Sequence, residues 1–205
     1  MFHSSGMGRR DSKEKILDVA VSLAEKGGFD RVRQREVAAE AGVALGTLYK
    51  RFRSKEDLLC AALKRDSEML ERRMERYPAR GEGPHERLCN FLQLVTRALL
   101  KKPNYARAVI RAMSSGVPEI AGNVAAYQGL MNVLIIDALR GVQRRSGDGA
   151  SPQPTRKEER LAILLQQMWF AMLVGWSAGL YSQNETLDQM RHTTKVIMRG
   201  MEAEA

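Results

Sequence analysis

The sequence predicts an all-α fold, with an N-terminal three-helix helix-turn-helix domain followed by a larger helical domain. Three observations carry this. Apolar residues recur at steps of three and four along most of the chain, and no alternating run of the kind a strand needs stands out. Pro103 and Pro118 stand at the openings of such periodic segments, where a missing N–H costs nothing, and Pro78 to Pro84 break the chain before them. Within residues 32–59, VRQREVAAEAGVALGTLYKRFRSKEDLL, three short helical runs are broken at two defined places.

In chain order, the first helix is expected over residues 11–26. Ile16, Val19, Ala20 and Leu23 form its buried stripe, and Gly27 and Gly28 end it. It braces the helices of the reading head, because two short helices alone bury too little surface to hold an angle. Phe29 is expected to pack back beneath them. Val37, Ala38 and Ala41 then line one face of a helix of about three turns. Gly42 tolerates left-handed dihedrals, so the chain can turn there into the next helix. The segment 44–52 carries Leu48 and Phe52 on one side, four residues apart. Ser54 with Asp57 reads as a capping box that opens a third helix. Helix, glycine turn, helix is the unit whose second helix enters the major groove of DNA.

Charge supports that reading. The chain carries a formal +9 with pI near 9.8, which favours a polyanionic partner. Residues 1–55 hold twelve Lys and Arg against seven Asp and Glu, a net of +5 in the first quarter of the chain. Thr47 and Tyr49 offer hydroxyls to phosphate oxygens, and Lys50, Arg51, Arg53 and Lys55 bring four cations within six residues. Lys55 opens its helix, where a phosphate would gain from both the ammonium and the free amides. Arg35 is long enough to reach a base edge or a phosphate.

These residues also resemble a family. AGVALGTLYKRFRSKEDLL is similar, almost residue for residue, to the DNA-binding signature of TetR-type transcriptional repressors, over roughly the first 60 residues. The resemblance implies that Thr47, Tyr49 and Lys55 hold phosphates. It places Arg35, Leu45, Gly46 and Lys50 against bases or groove walls. Where the family often opens its second helix with Thr or Ser, this chain has Arg33 and Gln34, which can replace that phosphate contact. The DNA-contacting set is therefore Arg33, Gln34, Arg35, Ala44, Leu45, Gly46, Thr47, Tyr49, Lys50, Arg51 and Lys55. Residues 1–10 are expected to be a flexible arm. Arg9 and Arg10 suit the minor groove, and a tail without a role is the alternative.

The expected organisation is a DNA-binding domain over residues 1–55, a connector helix over 56–77, and an effector-binding and dimerisation domain over 78–205. The break PARGEGP at 78–84 is the clearest boundary. Helices are expected over 86–102, 104–114 and 118–145, then a flexible loop over 146–155. Residues 161–180, LAILLQQMWFAMLVGWSAGL, carry no charge and a G-x-x-x-G at Gly175 and Gly179. Alone, that stretch satisfies the length rule for a membrane span. Gln166 and Gln167 inside it, and the RKEER before it, favour a helix buried against its own subunit and a second one. A last helix over 186–201 repeats Leu187, Met190, Thr194, Ile197 and Met201 as a narrow seam suited to helix pairing. Leu173, Trp176, Gly179, Leu180, Leu187, Met190 and Ile197 are the expected dimer interface. As the resemblance also implies, two helices from each chain would form it and set two reading heads on a near-palindromic operator.

For an effector, Phe91, Met113, Tyr127, Met131, Met168, Trp169 and Met172 are candidates, since methionine and aromatic side chains suit bulky apolar ligands. Each is also what a plain core would use. The resemblance implies a small molecule bound among these helices that releases DNA. More weakly, the chain resembles the subgroup governing steroid and fatty-acid breakdown in actinobacteria. That implies an acyl-CoA or steroid-like acid, with Arg107 or Arg111 as anionic anchors. The rival is an architectural DNA-binding dimer without an effector. No G-x-S-x-G, phosphate loop or carboxylate pair beside a histidine points to an enzyme. Three dispersed histidines and Cys60 and Cys89 make no metal site or disulfide framework, so no metal or cofactor is expected. The absence of an apolar leader predicts a cytoplasmic protein.

Overall fold

The computed structural model describes residues 5–142 and 152–203, with side chains placed for 12–142 and 152–201. Among the described residues every regular element is a helix. In order they are α1 (Ser5–Gly27), a one-turn 3-10 helix (Phe29–Arg31), α2 (Gln34–Glu40), α3 (Leu45–Arg51) and α4 (Lys55–Arg76). Then come α5 (Pro84–Leu100), α6 (Pro103–Met113), a second 3-10 turn (Pro118–Ile120), α7 (Ala121–Arg140), α8 (Arg156–Ser177) and α9 (Gln183–Ala203).

The chain forms two compact units that do not follow its order. The first joins Met1–Asp66 to Lys102–Ala126, and the second joins Ser67–Lys101 to Tyr127–Ala205. The sequence places residues 102–126 with the C-terminal domain; the structure returns them to the DNA-binding head. The reason lies in α6. Its Tyr105, Ala106, Ala108, Val109, Ile110 and Ala112 are buried, and it packs on α1 and the first 3-10 turn. Glu25 of α1 accepts the Tyr105 N–H at 3.0 Å and so caps the start of α6, while Asn104 Nδ2 donates to the Glu25 carbonyl at 2.9 Å. The Tyr105 hydroxyl donates to Asp66 at 3.1 Å, and Arg65 ties α4 to Asp18 of α1 at 2.7 Å. Burial and the Asp66 carboxylate push the Tyr105 phenol well above its usual range.

Inside the first unit, Ile16, Leu17, Ala20, Leu23, Val32, Val37, Leu48, Leu58 and Leu59 make the core, each at most 1% exposed. α2 has two turns, not three. Gly42 ends the α2 segment at φ +67°, with its N–H donating to the Ala39 carbonyl and the Val43 N–H to the Ala38 carbonyl, the two bonds of a Schellman cap. Nothing lies within 4 Å of where a Gly42 side chain would begin, so the constraint is purely one of backbone conformation. Gly42→Ala should therefore destabilise the head by about 1–2 kcal/mol. Denaturant unfolding followed by circular dichroism checks this, and an unchanged midpoint would contradict it.

Of the boundaries that differ from those expected, three have a local cause. α1 starts at Ser5, so residues 5–10 extend the helix back through the expected arm, which contains no proline to stop it. The side chains of Arg9 and Arg10 lie outside those placed. α7 stops at Arg140 instead of 145, because Gly141 takes φ +69° and the Val142 N–H closes on the Asp137 carbonyl. The loop expected over 146–155 lies outside the described residues as far as 151. From 152 the chain is held by Arg140, which donates to the Pro152 and Gln153 carbonyls and pairs with Glu158 at 2.7 Å. That Arg140 bond, with the Thr155 cap, holds the Glu158 carboxyl down at about 2.

In the second unit α9 packs on both α5 and α8. Phe91, Leu92, Met131, Ile135 and Leu165 are fully buried. Trp169 Nε1 donates to Thr96 Oγ1 at 2.9 Å, and Thr96 in turn to the Leu92 carbonyl at 2.7 Å, so this polar chain within the core is satisfied.

Candidate functional site

The second helix of the head is α3. Leu48 and Phe52 turn inward, 0% and 4% exposed, and fix its angle. Thr47, Tyr49 and Lys50 are thereby left on the outside, with Ala44 and Gly46 exposed and Leu45 and Arg51 half-buried. Ala44 is extended and accepts the Thr47 and Leu48 N–H groups, so the helix opens where the sequence places it. On α2, Arg35 is exposed. Arg33 is also exposed, with a loose 3.5 Å pair to Glu36. Gln34 Nε2 donates to the Phe52 carbonyl at 3.0 Å, which ties the start of α2 to the end of α3. This structural role is not legible in the sequence, since the partners are 18 residues apart.

The start of α4 is built differently from a simple capping box. The Asp57 N–H donates to Ser54 Oγ at 3.0 Å, but the Asp57 carboxylate returns to the Arg53 N–H, one residue earlier than the box requires. Its other oxygen accepts Asn123 Nδ2 at 2.7 Å, and Asp57 is 8% exposed. The head's last turn is thus pinned by the start of α7. Lys55 Nζ lies 4.0 Å from the Phe29 ring centroid and 3.5 Å from Asp30. Arg111, from α6, lies on the same ring and the same carboxylate. The hydrogen bond from Arg111 chiefly holds the Asp30 carboxyl below its ordinary range. Arg111 is therefore a partner of the head, where the sequence offers it as an effector anchor.

Arg111 apart, eight effector candidates remain, of which Phe91, Tyr127, Met131, Trp169 and Met172 are buried in the second unit. The other three do not join them. Met168 points outward on α8, 39% exposed, while Arg107 and Met113 belong to α6 in the first unit. A cavity of about 380 Å³ in the second unit is lined by Pro84, Leu139, Thr155, Lys157, Glu158, Leu161, Met198 and Met201, none of them a candidate.

Of the seven residues expected at the dimer interface, Gly179 and Leu180 are exposed and Ile197 is half-buried, while the other four are buried. Leu173, Trp176, Leu187 and Met190 are each at most 6% exposed within their own chain. The α9 seam faces inward, because α5 and α8 already cover it. Gly175 and Gly179 are not a helix-packing pair either. Gly179 lies past the end of α8 at φ +80°, where the Leu180 N–H closes on the Gly175 carbonyl in a Schellman cap. Gly175 makes room for the Tyr181 ring, which a side chain there would strike. What α8 exposes instead is Leu164, Met168, Ala171 and Val174, a stripe at helical spacing, with Ile163 beside it and Leu180 beyond. Gln166 donates to the Gln128 carbonyl and to Asn132, which explains one of the two glutamines inside the uncharged stretch, and Gln167 is exposed. Among the described residues no helix is long and apolar enough to cross a membrane.

Comparison with known proteins agrees with this architecture. Residues 16–62 match the model of bacterial regulatory proteins of the tetR family, and residues 81–197 match the tetracyclin repressor-like C-terminal domain. The HTH-type transcriptional repressor KstR of Rhodococcus jostii is 30% identical over 194 residues, covering 95% of this chain and 86% of that protein. A TetR transcriptional regulator from Rhodococcus sp. RHA1 superposes with a TM-score of 0.80 at 26% identity, covering 93% of this chain and 97% of the other. Thermus thermophilus FadR, a TetR-family repressor solved with lauroyl-CoA, shares the fold with a TM-score of 0.69 at 19% identity, covering 92% and 94%. The chain belongs to the TetR family of bacterial transcriptional regulators.

Proposed function

We propose that the protein is a repressor that binds a near-palindromic operator as a homodimer and leaves it when a bulky apolar metabolite binds. The observation that carries DNA binding is the outer side of α3. Leu48 and Phe52 anchor the helix from within, and Thr47, Tyr49 and Lys50 are presented outward, followed at once by Lys55. Thr47, Tyr49 and Lys55 are assigned to phosphates, while Arg35, Leu45, Gly46 and Lys50 are assigned to bases and groove walls. Arg33, Gln34, Ala44 and Arg51 flank them. The exposed α8 stripe of Leu164, Met168 and Val174 is the surface on which a second copy would close.

The effector reading rests on the five buried methionine and aromatic side chains and on the family. Methionine repacks at low cost, so this core can open around a ligand. Lauroyl-CoA in the T. thermophilus protein supports an acyl-CoA, and the weaker resemblance to the subgroup governing steroid and fatty-acid breakdown supports a steroid-like acid. Such a ligand weakens DNA binding only by its preference for one conformation, typically about 1–3 kcal/mol. The full burial of Phe91 and Met131 equally suits an architectural dimer without an effector. Titrating lauroyl-CoA and a steroid carboxylic acid into a complex with DNA from upstream of the gene separates the two. Release supports the repressor, and indifference to both supports the architectural dimer.

Lys55→Ala tests the phosphate assignment. It should weaken binding to all duplexes alike and flatten the slope of log affinity against log salt by about one. Fluorescence anisotropy at several salt concentrations measures both, and an unchanged slope would remove Lys55 from the contact set.

A further inference from the structure

Phe29 and Asp30 form the turn between α1 and α2, and two cations from distant parts of the chain meet there. Lys55, at the start of α4, comes within 4.0 Å of the Phe29 ring centroid and 3.5 Å of Asp30 Oδ1. The Arg111 guanidinium, in the last turn of α6, lies 4.2 Å from the same centroid and donates to Asp30 Oδ2 at 3.0 Å. One carboxylate and one ring thus serve two positive charges, and the closer bond goes to the arginine. A contact of 3.5 Å is at the outer edge of hydrogen bonding. The Asp30 side chain is 74% exposed, so both pairs are screened by water and either can be exchanged cheaply for the other.

We propose that Arg111 is a positioning residue for DNA binding: it occupies Asp30 and so keeps the Lys55 ammonium available to a backbone phosphate. The proposal rests on the phosphate role assigned to Lys55. With Arg111 in place the cluster of Lys55, Asp30 and Arg111 carries one excess positive charge. Without it, Asp30 and Lys55 neutralise each other, and an approaching phosphate must first break that pair. Arginine suits the position because its planar, weakly hydrated guanidinium can lie on the ring and bond the carboxylate together. Arg111 touches no nucleic acid in this arrangement and acts only through Asp30. Since it comes from α6, the charge offered at Lys55 depends on where α6 sits against the turn.

The test uses the full chain and a mixed-sequence duplex at low salt, read by fluorescence anisotropy. Arg111→Gln should weaken binding about fivefold, the upper range for exposed ion pairs. Asp30→Asn should not weaken it. Asp30→Asn added to Arg111→Gln should restore affinity to within about twofold of Asp30→Asn alone. In a Lys55→Ala background, Arg111→Gln should add nothing. In the otherwise wild-type chain, Arg111→Lys should keep most of the affinity. Thermal melts confirm that each variant is folded. If Arg111→Gln weakens binding and Asp30→Asn brings no recovery, Arg111 touches DNA or merely props the fold, and the proposal is overturned. If Arg111→Gln changes nothing while Lys55→Ala weakens binding, this proposal alone fails. If Lys55→Ala itself has no effect, the phosphate assignment fails and takes this one with it.

Discussion

Trp176→Arg should unfold the second unit, not merely separate two subunits. The indole is 6% exposed inside its own chain, near the end of α8. Deleting a buried indole alone costs about 3–5 kcal/mol, and placing a guanidinium there adds the cost of an unpaired buried charge. A loss of about 4 kcal/mol lowers Tm by about 8–16 °C in a chain of this size. The contrasting variant is Val174→Glu, two residues earlier on the same helix but 39% exposed. It should keep its helical circular dichroism and sediment as a monomer, because a carboxylate in each copy would face an apolar stripe. Its DNA affinity should fall about a hundredfold or more, since the second reading head no longer benefits from the first. A folded Trp176→Arg dimer, or a Val174→Glu variant that stays dimeric, would overturn the assignment of inner and outer faces on α8.

Leu48→Ala should strongly damage the DNA-binding head. Leu48 is 0% exposed and is the inward anchor at the middle of a helix only seven residues long. A buried leucine truncated to alanine costs about 2–5 kcal/mol, and a short helix offers little else to hold its angle. Two effects should separate by measurement. Denaturant unfolding should show the lost stability. Anisotropy at a temperature where the variant is still folded should show weaker binding to every duplex, because Thr47, Tyr49 and Lys50 would be presented on a loosened helix. Full affinity in the folded variant would mean that α3 takes its orientation from Phe52 and the Gln34 bond instead.

The head is legible in the sequence because its signals are local. The Gly42 turn, the Ser54 cap and the Leu48 and Phe52 pair each act within about one helical turn, so their spacing in the chain is their spacing in space. The same locality explains the errors. The G-x-x-x-G at Gly175 and Gly179 has the spacing of a packing motif, yet Gly179 lies beyond the helix end, and only the backbone dihedral distinguishes the two cases. The α9 seam is periodic, but periodicity identifies an apolar face without naming what covers it. Here it is α5 and α8 of the same chain. Met168 shares its chemistry with Trp169 and Met172 and lies one turn before Met172 on α8, yet it is 39% exposed where they are 3% and 7%.

Residue order alone was enough for helix content, for the positions of the turns and for the chemistry offered by α3, since all of these depend on neighbours within four positions. The fold itself had to bring Arg111 to Asp30, Asn123 to Asp57 and Trp169 to Thr96, across 81, 66 and 73 residues. Such partners are chosen by how helices pack, and packing depends on shape complementarity between faces that no spacing rule encodes. That is why the return of α6 to the head was visible only once the chain was folded.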